Sequence, residues 1–173
     1  MRYFFDTEFV EEPQKIDLIS IGIISEDERE LYLINKECNT INADLWVKEN
    51  VLNLMPEYLG NEFEFGLDTS HDNCMTKKQI SEKILEFVGD DKHPEFWAYY
   101  SDYDWVVFCW LYGRMIDLPK HFPMYCKDLK QLLDGYNMDS ESISSIIPQQ
   151  NIHNALDDAR WVKQVYDFIQ YYK

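Results

Sequence analysis

The stretch Phe-Phe-Asp-Thr-Glu-Phe at residues 4–9 restricts what this chain can fold into more than any other. Five of the first nine side chains, Met1, Tyr3, Phe4, Phe5 and Phe9, are large and apolar, as at the start of a buried strand. Asp6 and Glu8 interrupt that pattern. Side chains alternate between the faces of a strand at about 3.3 Å per residue, so the two acids share a face about 7 Å apart. A strand end emerging into solvent explains two acids there. A cation within reach of both carboxylates explains them equally well.

A chain of 173 residues with 46% hydrophobic and 16% aromatic side chains has the makings of one folded domain, residues 1–173. The apolar start runs straight into acids and is too short for a signal peptide. The longest apolar run, residues 105–112, is far too short to span a bilayer. Cys38, Cys74, Cys109 and Cys126 form no Cys-x-x-Cys pair, so reduced thiols, a cytoplasmic location and no membrane partner are expected. The net charge of −16 argues against a protein that coats nucleic acid, which needs a basic surface. It leaves open a solvated acidic exterior, and also a set of converging carboxylates that binds divalent cations.

Three strands are expected at the N-terminus: the first, then residues 15–24 and 30–35, these two joined by an acidic turn. Residues 42–55 read as a helix ended by Pro56, and 57–75 as an acidic loop. Residues 76–89 carry a Thr76 N-cap, apolar positions at 80, 84, 85, 87 and 88, and a glycine stop. A strand at 95–100 precedes helices at 102–115 and 127–135, a loop at 136–152 and a helix at 154–172. A further strand near 123–126 is suggested. The pattern is that of a single α/β domain.

On a helix, Asp104 heads a stripe with Val107, Phe108, Leu111 and Met115, whereas Asp102 lies outside it. A capping box with Ser101 is the local alternative for Asp104. In His-Asn-Ala-Leu-Asp-Asp, residues 153–158, Asn154 and Asp157 fit a capping pair. Asp158 instead shares the core stripe of Trp161, Val162, Val165 and Ile169, where an unpaired charge is costly. His153 lies just before that helix. Together these give four acids from three elements and one histidine. Hard cations such as Mg²⁺ take oxygen ligands, two of them clamp a phosphodiester, and a neutral histidine deprotonates attacking water.

Asp6-Thr7-Glu8, the aromatic-Asp pair Tyr103-Asp104, and residues 153–158 fitting His-x-Ala-x-x-Asp resemble the three exonuclease motifs of the DEDD superfamily, histidine branch. They occur in the family's order and span nearly the whole chain. The opening residues and short length look most like the ribonuclease AS family and related small bacterial or phage exoribonucleases. The resemblance implies a ribonuclease H-like fold, an α/β arrangement with a five-stranded mixed sheet, its first three strands antiparallel, flanked by helices. It implies that Asp6, Glu8, Asp104 and Asp158 hold two Mg²⁺ ions, with Mn²⁺ able to substitute, and that His153 is the general base. Thr7, Phe9, Tyr103 and Trp105 are the implied substrate-side residues, although core packing competes for Tyr103 or Trp105. The implied reaction is 3′-to-5′ removal of 5′-mononucleotides from a nucleic acid 3′ end, RNA in the first place, by an enzyme whose relatives often dimerise. The acidity favours short RNA ends over a long electrostatic track. The alternatives are a DNA exonuclease of the same fold, a catalytically retired acidic interaction protein, and a zinc site of Cys38, His71 and Cys74.

Overall fold

The computed structural model describes residues 1–60 and 66–171. β1 (Arg2–Glu12) runs through the middle of a six-stranded sheet with β2 (Lys15–Ser25), β3 (Glu30–Asn35), β4 (Cys74–Met75), β5 (Glu95–Ala98) and β6 (Lys127–Asp128). The order is β4-β3-β2-β1-β5-β6. β1, β2 and β3 are antiparallel neighbours, while β5 joins β1, β6 joins β5 and β4 joins β3 in parallel. Six strands replace the five expected. The added strand, β4, is two residues long and pairs Cys74 with Ile34 and Met75 with Asn35, inside the expected loop. The strand suggested near 123–126 lies instead at Lys127–Asp128. Two-residue strands carry no alternation to read; they exist because a neighbouring edge offers unpaired backbone groups.

The described residues hold six helices: α1 (Leu45–Asn50), α2 (Lys77–Val88), α3 (Asp102–Trp110), α4 (Leu129–Gly135), α5 (Ser140–Ile146) and α6 (Ala155–Tyr171). α2 begins with the Thr76 cap, reinforced reciprocally by Gln79, and stops at Gly89 with φ 62°. The helix expected over 42–55 is α1 followed by a 3₁₀ turn at Leu52–Leu54. α3 ends at Trp110 rather than 115, so Met115 falls off the proposed stripe and is exposed. α5 occupies part of the expected 136–152 loop, started by Asp139, whose carboxylate accepts from Ser142 N at 2.8 Å. Residues 61–65 of the other expected loop, and residue 172 of the expected last helix, lie outside the described residues.

Strand alternation divides the core. Tyr3 and Phe5 pack with Ile80, Ile84, Trp105 and Phe108 on the α2–α3 side. Phe4 packs on the other side with Trp97 and the α6 residues Trp161, Val162, Val165 and Ile169. Asp6 and Glu8 continue the Phe4 side, and so point toward α6. Two features of β2 bring α6 close. The register passes from Glu8↔Ser20 to Phe9↔Leu18, leaving Ile19 as an extra residue in a bulge beside Glu8. Opposite Asp6 stands Gly22, where a Cβ would come within 2.3 Å of the Leu156 backbone. The first turn of α6 therefore rests directly on the β2 main chain.

Backbone cannot yield as a side-chain tip can, so Gly22→Ala should destabilise the protein by about 1–3 kcal/mol in urea denaturation. Gly135→Ala is the control: a Cβ there meets nothing within 4 Å, and its midpoint should be unchanged or raised.

Candidate active site

The parallel pairing of β1 with β5 ends at Phe4↔Trp97, and the chain leaves β5 to enter α3 four residues after Ala98. A crevice opens there, at the carboxyl end of the parallel strands, a usual place for a site in α/β sheets. Asp6 and Glu8 reach it from β1, Asp104 from α3, Asp158 from α6 and His153 from the loop before α6. The cavity measures ≈ 760 Å³. Seven carboxylates line it, the four above with Glu11, Asp44 and Asp102, and no lysine or arginine does so among the described residues.

Each acid is held separately. Asp104 is buried, and its Oδ1 accepts from Thr7 N at 3.0 Å and Thr7 Oγ1 at 2.5 Å. Burial still raises its carboxyl to about 6, with the Thr7 bonds pulling the other way. The capping alternative for Asp104 fails, because Ser101 makes no side-chain cap bond. Ser101 N instead donates to Asp128 Oδ2 at 2.7 Å. Asp158 is buried; its Oδ1 accepts from Gln149 Nε2 at 2.6 Å and its Oδ2 from His153 N at 2.9 Å. Burial raises its pKa, and both bonds oppose that. Asp157 turns away, bonded to Arg160 Nη1 at 2.5 Å and Asn151 Nδ2 at 2.9 Å. Asn154 caps α6 as expected, accepting from Leu156 N and Asp157 N.

Asp6 and Glu8 are the least compensated. Burial, then the charges of Asp104, Glu8 and Asp158, push Asp6 well above the carboxylate range. Burial, then Asp158 and Asp104, raise Glu8 to about 8. One ligand atom each from Glu8, His153 and Asp158 lie within 4.8 Å of one another. Carboxylates pressed together without a lysine or arginine among them are the donor set that a hard cation fits. Among the described residues no such group contains Cys38, His71 or Cys74, so the zinc alternative has no site.

His153 adopts φ 71°, a left-handed conformation uncommon outside glycine. Its ring meets Trp46 of α1 edge-on, with centroids 4.8 Å apart. Phe9 and Tyr103 also line the cavity, their rings 6.0 Å apart, and Tyr103 is exposed. Thr7 lies in the wall with its hydroxyl committed to Asp104. Trp105 is not at the cavity. It is buried in the α2–α3 core, stacked on Phe108 at 5.0 Å, so the substrate contact expected of it is replaced by packing. Trp46, Tyr99, Tyr100 and Gln149 also line the cavity, and sequence reasoning missed them. Of these, only the aromatic pair 99–100 at a strand end carried a signal.

The fold and crevice are those of an α/β enzyme, and comparison with known proteins gives the class. Two proteins of Mycobacterium tuberculosis, 3′-5′ exoribonuclease Rv2179c of strain H37Rv and 3′-5′ exoribonuclease MT2234.1 of strain CDC 1551, are each 34% identical to it over 163 residues, 92% of this chain and 88% of the relative. Residues 64–170 match the 3′-5′ exoribonuclease Rv2179c-like domain. The chain belongs to this Rv2179c-like family of 3′-5′ exoribonucleases, hydrolases acting on phosphodiester bonds. A chain in the solved structure of the yeast NOT1 MIF4G domain co-crystallised with CAF1 has a similar fold, with TM-score 0.52 and 12% identity over 98% of this chain and 80% of that one. No helix among the described residues is long and apolar enough to cross a membrane.

The raised carboxyls fix a pH dependence. Unfolded, these acids titrate near 4. Folded and without divalent cation, Asp104 keeps its proton to about 6 and Glu8 to about 8. The native state thus binds more protons than the unfolded one across this window, and their contribution to stability falls as pH rises. In chelator, Glu8→Gln should melt above the wild type at about pH 8 and lose that advantage toward about pH 5. Differential scanning calorimetry at both pH values checks this.

Proposed function

We propose that residues 1–173 form one metal-dependent 3′-to-5′ exoribonuclease domain of the DEDD histidine branch, ribonuclease H-like and akin to ribonuclease AS, acting on RNA 3′ ends in the cytoplasm. The supporting observation is the meeting of Asp6, Glu8, Asp104 and Asp158, from three separate elements, at one cavity that His153 also lines. The acids would hold two Mg²⁺ ions, or Mn²⁺ in their place, which when bound neutralise the carboxylates and the scissile phosphate and favour in-line displacement.

The chain's own residues supply the rest. Thr7 aims Asp104 through two hydrogen bonds to one oxygen, Oδ1, at the wall of the cavity. Gln149 and the His153 main chain hold Asp158 from two sides. That same bond from His153 N fixes the histidine's backbone beside the acids, where its imidazole accepts a proton from the attacking water. The water oxygen joins phosphorus, the P–O3′ bond breaks, and the 3′ oxygen of the shortened RNA leaves with a proton. The product is a 5′-mononucleotide. Phe9 and Tyr103 present aromatic surface to the terminal nucleotide. A homodimer is part of the same reading.

His153→Ala should lower single-turnover hydrolysis by roughly 100-fold or more while retaining metal binding. Linear RNA should yield mononucleotides stepwise, and circular or 3′-phosphorylated RNA should resist. Cleavage of the circle would assign the site a different reaction.

A further inference from the structure

A nuclease that follows a strand holds successive phosphates with Lys and Arg, and longer substrates gain affinity from each contact. This surface offers little of that kind. The sequence has 16 Lys and Arg residues, and among the described residues 12 of them stand within 4.0 Å of a carboxylate in an ion pair. Lys130, whose charge acts on the Tyr99 and Tyr100 hydroxyls at one wall of the cavity, is taken up by Asp134 one helical turn away. Glu11, Asp44 and Asp102 add negative charge to the cavity lining beyond the four inner acids. Among the described residues the lining therefore gives the phosphates of a longer strand no lysine or arginine to hold.

What the cavity does offer is local. Its ≈ 760 Å³ is the size of a pocket for one compact ligand rather than of an extended groove. Trp46 and Tyr103, both about half exposed, supply aromatic faces to its lining. Aromatic faces grip bases without help from phosphate charge. We propose, resting on the exoribonuclease reading, that the enzyme recognises only about the last two nucleotides of an RNA, so that di- and trinucleotides are full substrates. Chain length beyond them neither helps nor hinders. The substrate class is then the short oligoribonucleotide as much as the end of a long RNA.

The test compares kcat/KM, with Mg²⁺, for a 5′-phosphorylated di-, tri- and 20-nucleotide RNA of one sequence. The three values should agree within about threefold, and log kcat/KM should fall with log salt at a slope no steeper than about −1.5, as for two phosphates. Trp46→Ala should raise KM roughly tenfold at every length. A gain above about threefold from trinucleotide to 20-mer, or a steeper salt slope, overturns the proposal. Equilibrium binding of 2′-O-methyl tri- and 20-mers by fluorescence anisotropy separates it from the reading beneath it. Hydrolysis at no length would count against the exoribonuclease, while equal dissociation constants would still uphold the two-nucleotide footprint. Tighter binding of the 20-mer, or no binding of either, would overturn it.

Discussion

Mutual repulsion among Asp6, Glu8, Asp104 and Asp158 is the constraint on which the rest of this structure depends. Each is raised first by burial, and no lysine or arginine among the described residues lining the cavity offsets them. Left alone, such a group would loosen the fold or take up protons. The acids stay together because separate elements hold them. β1 fixes two by strand geometry, Thr7 anchors the third, and Gln149 with the His153 main chain anchors the fourth.

Those anchors depend in turn on the sheet. The bulge at Ile19 lies where the two strands pass Glu8, and the bare backbone at Gly22 lets the first turn of α6 approach Asp6. The end of β1–β5 pairing at Phe4↔Trp97 makes room for α3 to deliver Asp104. The divided core then clamps both sides, with α2 and α3 packed under Phe5 and α6 over Phe4. Site and core thus share one strand, and only the alternation of its side chains separates their tasks.

Long, strongly patterned elements were legible in the sequence: β1–β3, α2 with its cap and stop, and α6 with Asp158 on its inner stripe. The inner acids were legible because each broke an apolar pattern. β4 was hidden, since two residues have no period, and α5 was hidden within a polar stretch although Asp139 marks its start. Trp105 misled because flanking a motif in sequence does not decide which helix face a side chain occupies. Trp46 and Gln149 gave no signal at all. Their places depend on how α1 and the loop before α6 fold back over the crevice, which only tertiary packing determines.

The most direct measurement of the central claim is the melting temperature with and without Mg²⁺ for the wild type, Asp158→Asn and Asp157→Asn. A cation that binds only the folded state at about 100 times its dissociation constant stabilises it by about 2.7 kcal/mol. The wild type should therefore melt higher with Mg²⁺. Asp157→Asn, altered at a carboxylate already bonded to Arg160, should keep that shift, and Asp158→Asn should lose most of it. No shift in the wild type, or equal loss in both variants, would contradict the assignment of the four acids as one cation site.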